Sequence, residues 1–172
     1  MRIYIACGLT HVPRELFHEY VDFLHRLAAA LKETGASREI RYALVNSDPQ
    51  LAEKPFGERA RLCYLWDREM VEEANLVIAE ASFPSTGLGI ELQIAEACDT
   101  PILLCVRDFG INKAAPADYQ TPDLKHHDLQ IGEGYVSLMA LGVPSVFRIL
   151  RYGSPADGIR QIVEATSLLE RE

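Results

Sequence analysis

Three features of this sequence predict a single α/β domain built on a doubly wound, five-stranded parallel sheet with helices on both faces. Short, almost wholly apolar runs recur along the chain, as at 75–81 and 101–106, which is what strands covered on both sides require. Between them lie segments whose apolar residues step by three and four, giving the strand–helix alternation of a parallel sheet. Finally, Pro84-Ser85-Thr86-Gly87-Leu88-Gly89-Ile90-Glu91 follows one of these strands and leads into a helix. Open α/β sheets bind ligands at such junctions, and the free N–H groups there suit anions.

In chain order, Arg2–Cys7 reads as the first strand and Gly8–Pro13 as the loop after it. From Arg14 to about Glu33 the residues Phe17, Tyr20, Val21, Leu24, Leu27, Ala28 and Leu31 form one apolar stripe, an amphipathic helix that Gly35 stops. Ile40–Val45 is the second strand and Asn46–Phe56, with two prolines, a loop. A helix then runs to about Ala74, and Asn75–Ala81 is the third strand. Ser85, Gly87 and Gly89 allow a sharp turn, and Glu91–Ala97 has helical spacing, so the first helical turn carries a carboxylate. Pro101–Val106 is a fourth strand. Asp108–Gly134, rich in Asp, Pro and His, is a long irregular insertion, and such loops in compact domains are usually functional or disordered. Tyr135–Leu141 reads as a short helix, Ser145–Leu150 as the last strand and Pro155–Arg171 as the last helix. No repeat or linker interrupts the pattern, so 1–172 reads as one domain of flavodoxin/Rossmann-like architecture.

The composition narrows the function classes. The chain has 172 residues, 48% of them apolar, enough to bury a substantial core. Its net charge of −8 argues against binding long nucleic acids, which need a basic surface. A single nucleotide needs only a few N–H donors and hydroxyls. No apolar run approaches the roughly 20 residues of a membrane span, and the N-terminus enters a strand without a signal-peptide layout, so a cytoplasmic location is expected. The four cysteines form no CxxC pair; Cys7 and Cys105 fall in strands, Cys63 and Cys98 in helices, and all four read as buried free thiols. His126-His127 lacks the acid–His spacing of a metal site, and no metal or cofactor is expected.

Two carboxylates carry the chemical reading. Glu91 follows the two glycines closely enough to reach the site their turn creates. Asp67, 24 residues upstream, shares a helical stripe with Cys63 and Val71 beside Met70, a partly apolar face where a carboxylate is out of place. Two carboxylates converging on one sugar is the arrangement that cleaves glycosidic bonds. Each also has a structural reading: Glu91 as a negative charge favoured near a helix start, Asp67 as one member of a charged face with Arg68 and Glu69.

Taken together, the pieces resemble the nucleoside 2-deoxyribosyltransferase superfamily, and most of all its 2′-deoxynucleoside 5′-monophosphate N-hydrolase branch. The matching stretches are Ile3-Tyr4-Ile5-Ala6 with Leu9-Thr10, then Asp67 through Glu80, then Pro84 through Leu92. Asp67 stands seven residues before Ala74, which opens the third strand, and Ser85 to Glu91 matches a Ser-x-Gly-x-Gly-x-Glu pattern. The resemblance covers roughly the first two thirds of the chain.

The resemblance implies that Glu91 is the nucleophile forming a covalent glycosyl–enzyme intermediate. It implies that Asp67 orients Glu91 and assists proton transfer to the departing base, and that Tyr4 helps position Glu91. Ser85, with the N–H groups of Gly87 and Gly89, would bind a 5′-phosphate. Val136-Ser137-Leu138-Met139 resembles the segment that delivers a second serine from a neighbouring subunit, which nominates Ser137 and implies a homodimer. The first loop departs from the family's usual Ala-Gly-Pro or Cys-Gly-Ser followed by a basic residue; here Cys7-Gly8 precedes Leu9, Thr10 and His11. Gly8, Thr10 and His11 are therefore candidate substrate contacts, with His11 or Arg14 as the source of positive charge. Trp66 and Phe83 are candidates for stacking on a base, or for core packing. The substrate expected is a small nucleotide. A deoxyribosyltransferase acting on free nucleosides, and a nucleotide-binding module without turnover, are the alternatives.

Overall fold

The computed structural model describes residues 1–35 and 37–171. In chain order its elements are β1 (Arg2–Cys7), α1 (Arg14–Thr34), β2 (Glu39–Tyr42), α2 (Ala43–Asn46), α3 (Asp48–Ala52), α4 (Phe56–Glu72) and β3 (Leu76–Glu80). The second half holds α5 (Thr86–Ala97), β4 (Ile102–Arg107), β5 (Asp118–Gln120), β6 (His126–Asp128), α6 (Leu138–Leu141), β7 (Val146–Tyr152) and α7 (Pro155–Leu169). Five strands form one all-parallel sheet in the order β2-β1-β3-β4-β7.

Alternation along the central strands sorts the core into two layers. Ile3, Ile5, Leu76, Ile78, Leu103 and Cys105 face α1 and α7. Tyr4, Ala6, Val77, Ala79, Ile102 and Leu104 face α4 and α5. Each fully buried Ile, Leu or Val contributes about 1.5–3 kcal/mol relative to exposure, and the layers together fix the register of every central strand.

Local chemistry explains where the structure departs from the sequence reading. Strand β2 ends at Tyr42, three residues early, because the Tyr42 N–H donates to Asn46 Oδ1 (3.0 Å) and the chain turns into α2. The expected loop 46–56 then holds α3, with Pro49 in the first turn where a missing N–H costs nothing. The glycine segment is not a tight turn. Ser85 is the N-cap of α5, its Oγ accepting from Leu88 N (3.1 Å), so Gly87 and Gly89 are helical and Glu91 lies in the second turn. The insertion 108–134 carries an exposed antiparallel hairpin, β5–β6. The last strand continues to Tyr152. All four cysteines are free, but only Cys105 is fully buried; Cys7 and Cys63 are half-buried and Cys98, at the end of α5, is exposed.

One charged group interrupts the apolar layer under α1 and α7. Glu80, the last residue of β3, is fully buried and accepts hydrogen bonds from the Tyr20 and Ser82 hydroxyls, from Tyr152 Oη (2.9 Å) and from the Ser82 N–H (3.4 Å). Burial pushes its pKa up, and the three hydroxyl donors pull it back. Ser82 Oγ in turn accepts from Arg107 N (2.8 Å), so the network joins α1, β7, the end of β4 and the segment entering α5. Glu80→Ala strands three buried hydroxyls and leaves a void. A loss of about 3 kcal/mol is expected in urea unfolding, and a loss under about 1 kcal/mol would mean the hydroxyls find other partners.

Candidate active site

Because β1 lies between β2 and β3, the loop leaving β1 and the loop leaving β3 diverge to opposite faces of the sheet, opening a crevice at their carboxyl ends. A cavity of about 410 Å³ occupies that crevice, within the range of small-molecule sites. Its wall takes Thr10 and His11 from the first loop, Ser47 and Asp48 from the start of α3, Cys63 and Asp67 from α4, and Ser85 to Leu88 with Glu91 from α5.

Glu91 falls between Leu88 and Leu92 on the buried side of α5. Its Oε1 accepts from Tyr4 Oη (2.6 Å), while Oε2 is buried without a partner. Tyr4 is 1% exposed on the α4–α5 face of β1, so strand alternation aims its hydroxyl at α5. Burial pushes the Glu91 carboxyl up to about 8, with the Asp67 charge adding and the Tyr4 hydrogen bond opposing. Tyr4 itself is held well above its ordinary value by burial and then by the Glu91 charge, so its hydroxyl is a permanent donor.

Asp67 is arranged in the same manner. Its Oδ2 accepts from Cys63 Sγ, one helical turn back (3.3 Å), and its Oδ1 is buried without a partner. Ser85 Oγ is engaged in capping, and Thr86 and Gly87, at the first two helical positions, also line the cavity. Gly8 is required by close approach. A Cβ there would lie 2.8 Å from Ser85 Cβ and 3.0 Å from the Phe83 carbonyl, so only glycine lets the first loop press against the Ser85 segment.

The structure therefore gathers Glu91, Asp67, Ser85, Gly87, Thr10 and His11 on one cavity wall, with Tyr4 bound to Glu91 beneath it. Gly8 packs behind Ser85, and Gly89 is exposed on the helix outside the wall. Ser137 caps α6 through Ala140 N (3.3 Å) and borders a different cavity, beside Pro84, Lys113 and Tyr135. Neither candidate base-stacking ring reaches the cavity: Phe83 is core, edge-on to Tyr20 at 5.4 Å, and Trp66 lines a separate groove with Arg41 and Met70. Arg14 does not line the cavity either; among the described residues, no Lys or Arg does. Sequence reasoning missed Ser47, Asp48 and the contact made by Cys63. The first two lay in an expected loop, whereas the Cys63–Asp67–Val71 stripe was visible. Among the described residues no group of three His, Cys, Asp or Glu side chains is placed to hold a metal ion, and no helix is long and apolar enough to cross a membrane.

No protein-family model matches the chain, and no curated protein matches it in sequence. Solved structures do share its fold. A CMP N-glycosidase of Clostridium botulinum, BcmB, superposes with a TM-score of 0.54 at 18% identity over 94% of this chain and 98% of that one. A conserved protein of Enterococcus faecalis V583 superposes with a TM-score of 0.54 at 17% identity, over the same shares. A 2-deoxyribosyltransferase of Bacillus psychrosaccharolyticus gives a TM-score of 0.46 at 18% identity, over 62% of this chain and 72% of that one.

A carboxyl whose pKa is raised in the folded state stabilises the fold below its ordinary value near 4.5 and loses that contribution as pH rises through about 8. Glu91→Gln should therefore match the wild type in melting temperature near pH 4, exceed it increasingly as the pH rises from about 4.5 to about 8, and keep a constant advantage above that. Equal melting temperatures at pH 9 would show that water already solvates the carboxylate.

Proposed function

We propose that this protein is an N-glycosidase that hydrolyses the base–sugar bond of nucleoside 5′-monophosphates through a covalent glycosyl-glutamate intermediate. The observation that carries the reading is the matched pair of acids on one cavity wall. Glu91 and Asp67 each have one oxygen tethered by a neutral donor and the other buried without a partner. A buried, unpaired carboxylate oxygen is costly, and such groups persist where function requires them. Glu91 Oε2 attacks C1′ as the C–N bond breaks; the bond's electron pair leaves with the base, which takes a proton with the assistance of Asp67. Water then attacks C1′, releasing the sugar phosphate and regenerating Glu91. Ser85 and the N–H groups at the start of α5 receive the phosphate, with His11, which lines the same cavity, supplying positive charge when protonated. The fold shared with a CMP N-glycosidase supports this reading, and the reaction calls for no metal or cofactor.

A second reading, transfer of deoxyribose between bases on free nucleosides, is favoured by the absence of any Lys or Arg from the described cavity wall. Base release from ribo- and deoxyribonucleoside 5′-monophosphates, each paired with its free nucleoside, separates the two. The hydrolase reading expects release from monophosphates only, lost in Glu91→Ala by at least about 10³-fold. Release from free nucleosides only when an acceptor base is added would support the transferase. Full activity in Glu91→Ala would overturn both.

The same reading includes a homodimer in which Ser137 completes the neighbour's phosphate site. In its support, Ser137 is exposed and is followed by the exposed apolar side chains of Leu138 (48% exposed) and Met139 (86%). Mixing Ser137→Ala with Glu91→Ala protein, each impaired alone, should restore activity by creating one intact site per mixed dimer. No recovery after subunit exchange would place Ser137 outside the site.

A further inference from the structure

Cys63 lines the cavity beside Asp67, and the mechanism above leaves its thiol unused. Its Sγ stands 3.3 Å from Asp67 Oδ2, one turn away on α4, and among the described residues it is Asp67's only hydrogen-bond partner. We propose that Cys63 is a positioning residue: its thiol holds Oδ2 of Asp67 so that Oδ1 is presented to the departing base. The inference rests on the N-glycosidase reading of the site.

The neutral state of the thiol is what makes it suitable. Burial, followed by the charges of Asp67, Glu91 and Asp48, pushes Cys63 up to about 12, so it remains an S–H donor at physiological pH. A thiolate would repel Asp67 and compete with Glu91 as a nucleophile. A Lys or Arg in its place would pair with the carboxylates and weaken the nucleophile. A weak, uncharged donor fixes the Asp67 rotamer while leaving Oδ1 unpartnered. Tyr4 serves Glu91 in the same way, from beneath the cavity wall.

A residue that merely fills space at position 63 would tolerate a small apolar replacement without a selective kinetic effect. The test compares wild type, Cys63→Ser, Cys63→Ala and Cys63→Val on two substrates. One is the cleaved nucleoside monophosphate; the other carries 4-nitrophenolate at C1′, a leaving group that departs without a proton. The Ala and Val variants should lose about 10- to 100-fold in kcat on the nucleotide with little change in KM. The Ser variant should recover most of that loss, and all variants should cleave the nitrophenyl substrate at the wild-type rate. Equal losses on both substrates, or no loss on the nucleotide, would overturn the positioning role. A wild type inactive on both would instead sink the N-glycosidase reading. An activity-independent check is the S–H stretching band of Cys63, identified by its absence in Cys63→Ser. It should move to higher frequency in Asp67→Ala; an unmoved band means that the thiol is not donating.

Discussion

A carboxylate sits where the helix–sheet seam would otherwise take an aliphatic side chain, and much of the molecule is arranged around that fact. Glu91 shares the buried side of α5 with Leu88, Leu92 and Ala95, and the partner that reaches it is a tyrosine rising from the sheet. Tyr4 can do this only because β1 holds the register in which even-numbered residues face α4 and α5. A one-residue slip would send the hydroxyl into the opposite layer and leave Glu91 without that donor. The packing of Ile3, Ile5, Leu76 and Ile78 on the other face is thus also what secures the geometry of the acid.

The electrostatic character of the cleft follows from its donors. Both carboxylates are tethered by groups that stay neutral, a phenol and a thiol, and no Lys or Arg of the described wall neutralises them. Burial, and after it the neighbouring Asp67 carboxylate, raises the cost of ionising Glu91, as its elevated pKa reflects. In the proposed mechanism, a carboxylate kept in that condition gains by attacking a developing positive charge at a sugar carbon, which supplies the missing counter-charge. On that proposal, stability is given up at this position for reactivity.

A second buried carboxylate has the opposite character. Glu80 is surrounded by four donors and joins two helical layers to the loops that flank the cleft. Through Ser82 it anchors the segment that delivers Ser85, and Gly8 allows the first loop to close against the same segment. Glu91, the acid proposed as nucleophile, is left with an unpartnered oxygen; Glu80 has none. That contrast lets side chains of the same type, on consecutive elements, be assigned different duties.

The architecture was legible in the sequence because strand and helix periodicities are local and strong: the apolar runs at β1, β3 and β4 and the stripe of α1 need no tertiary information. Glu91 and Asp67 were nominated by their spacing, one just past the glycine segment and the other on a partly apolar helical stripe, whereas Ser85 and Tyr4 were nominated by the family resemblance. Other features were decided only in three dimensions. The start of α5 moved back to Thr86 once Ser85 acted as its cap, and β2 stopped at Tyr42 once Asn46 captured its N–H, both being side-chain contacts that compete with the local pattern. Trp66 and Phe83 were candidates for stacking on a base or for core packing until the fold placed Trp66 on a separate groove and Phe83 in the core. The sequence by itself determined which faces are apolar and which residues can carry chemistry, because those are properties of single side chains and their spacing. The tertiary structure decided which of those residues meet, that Glu91 is desolvated, and that Cys63 and Tyr4 each hold one acid, because burial and hydrogen-bond partnership arise only between elements brought together by the fold.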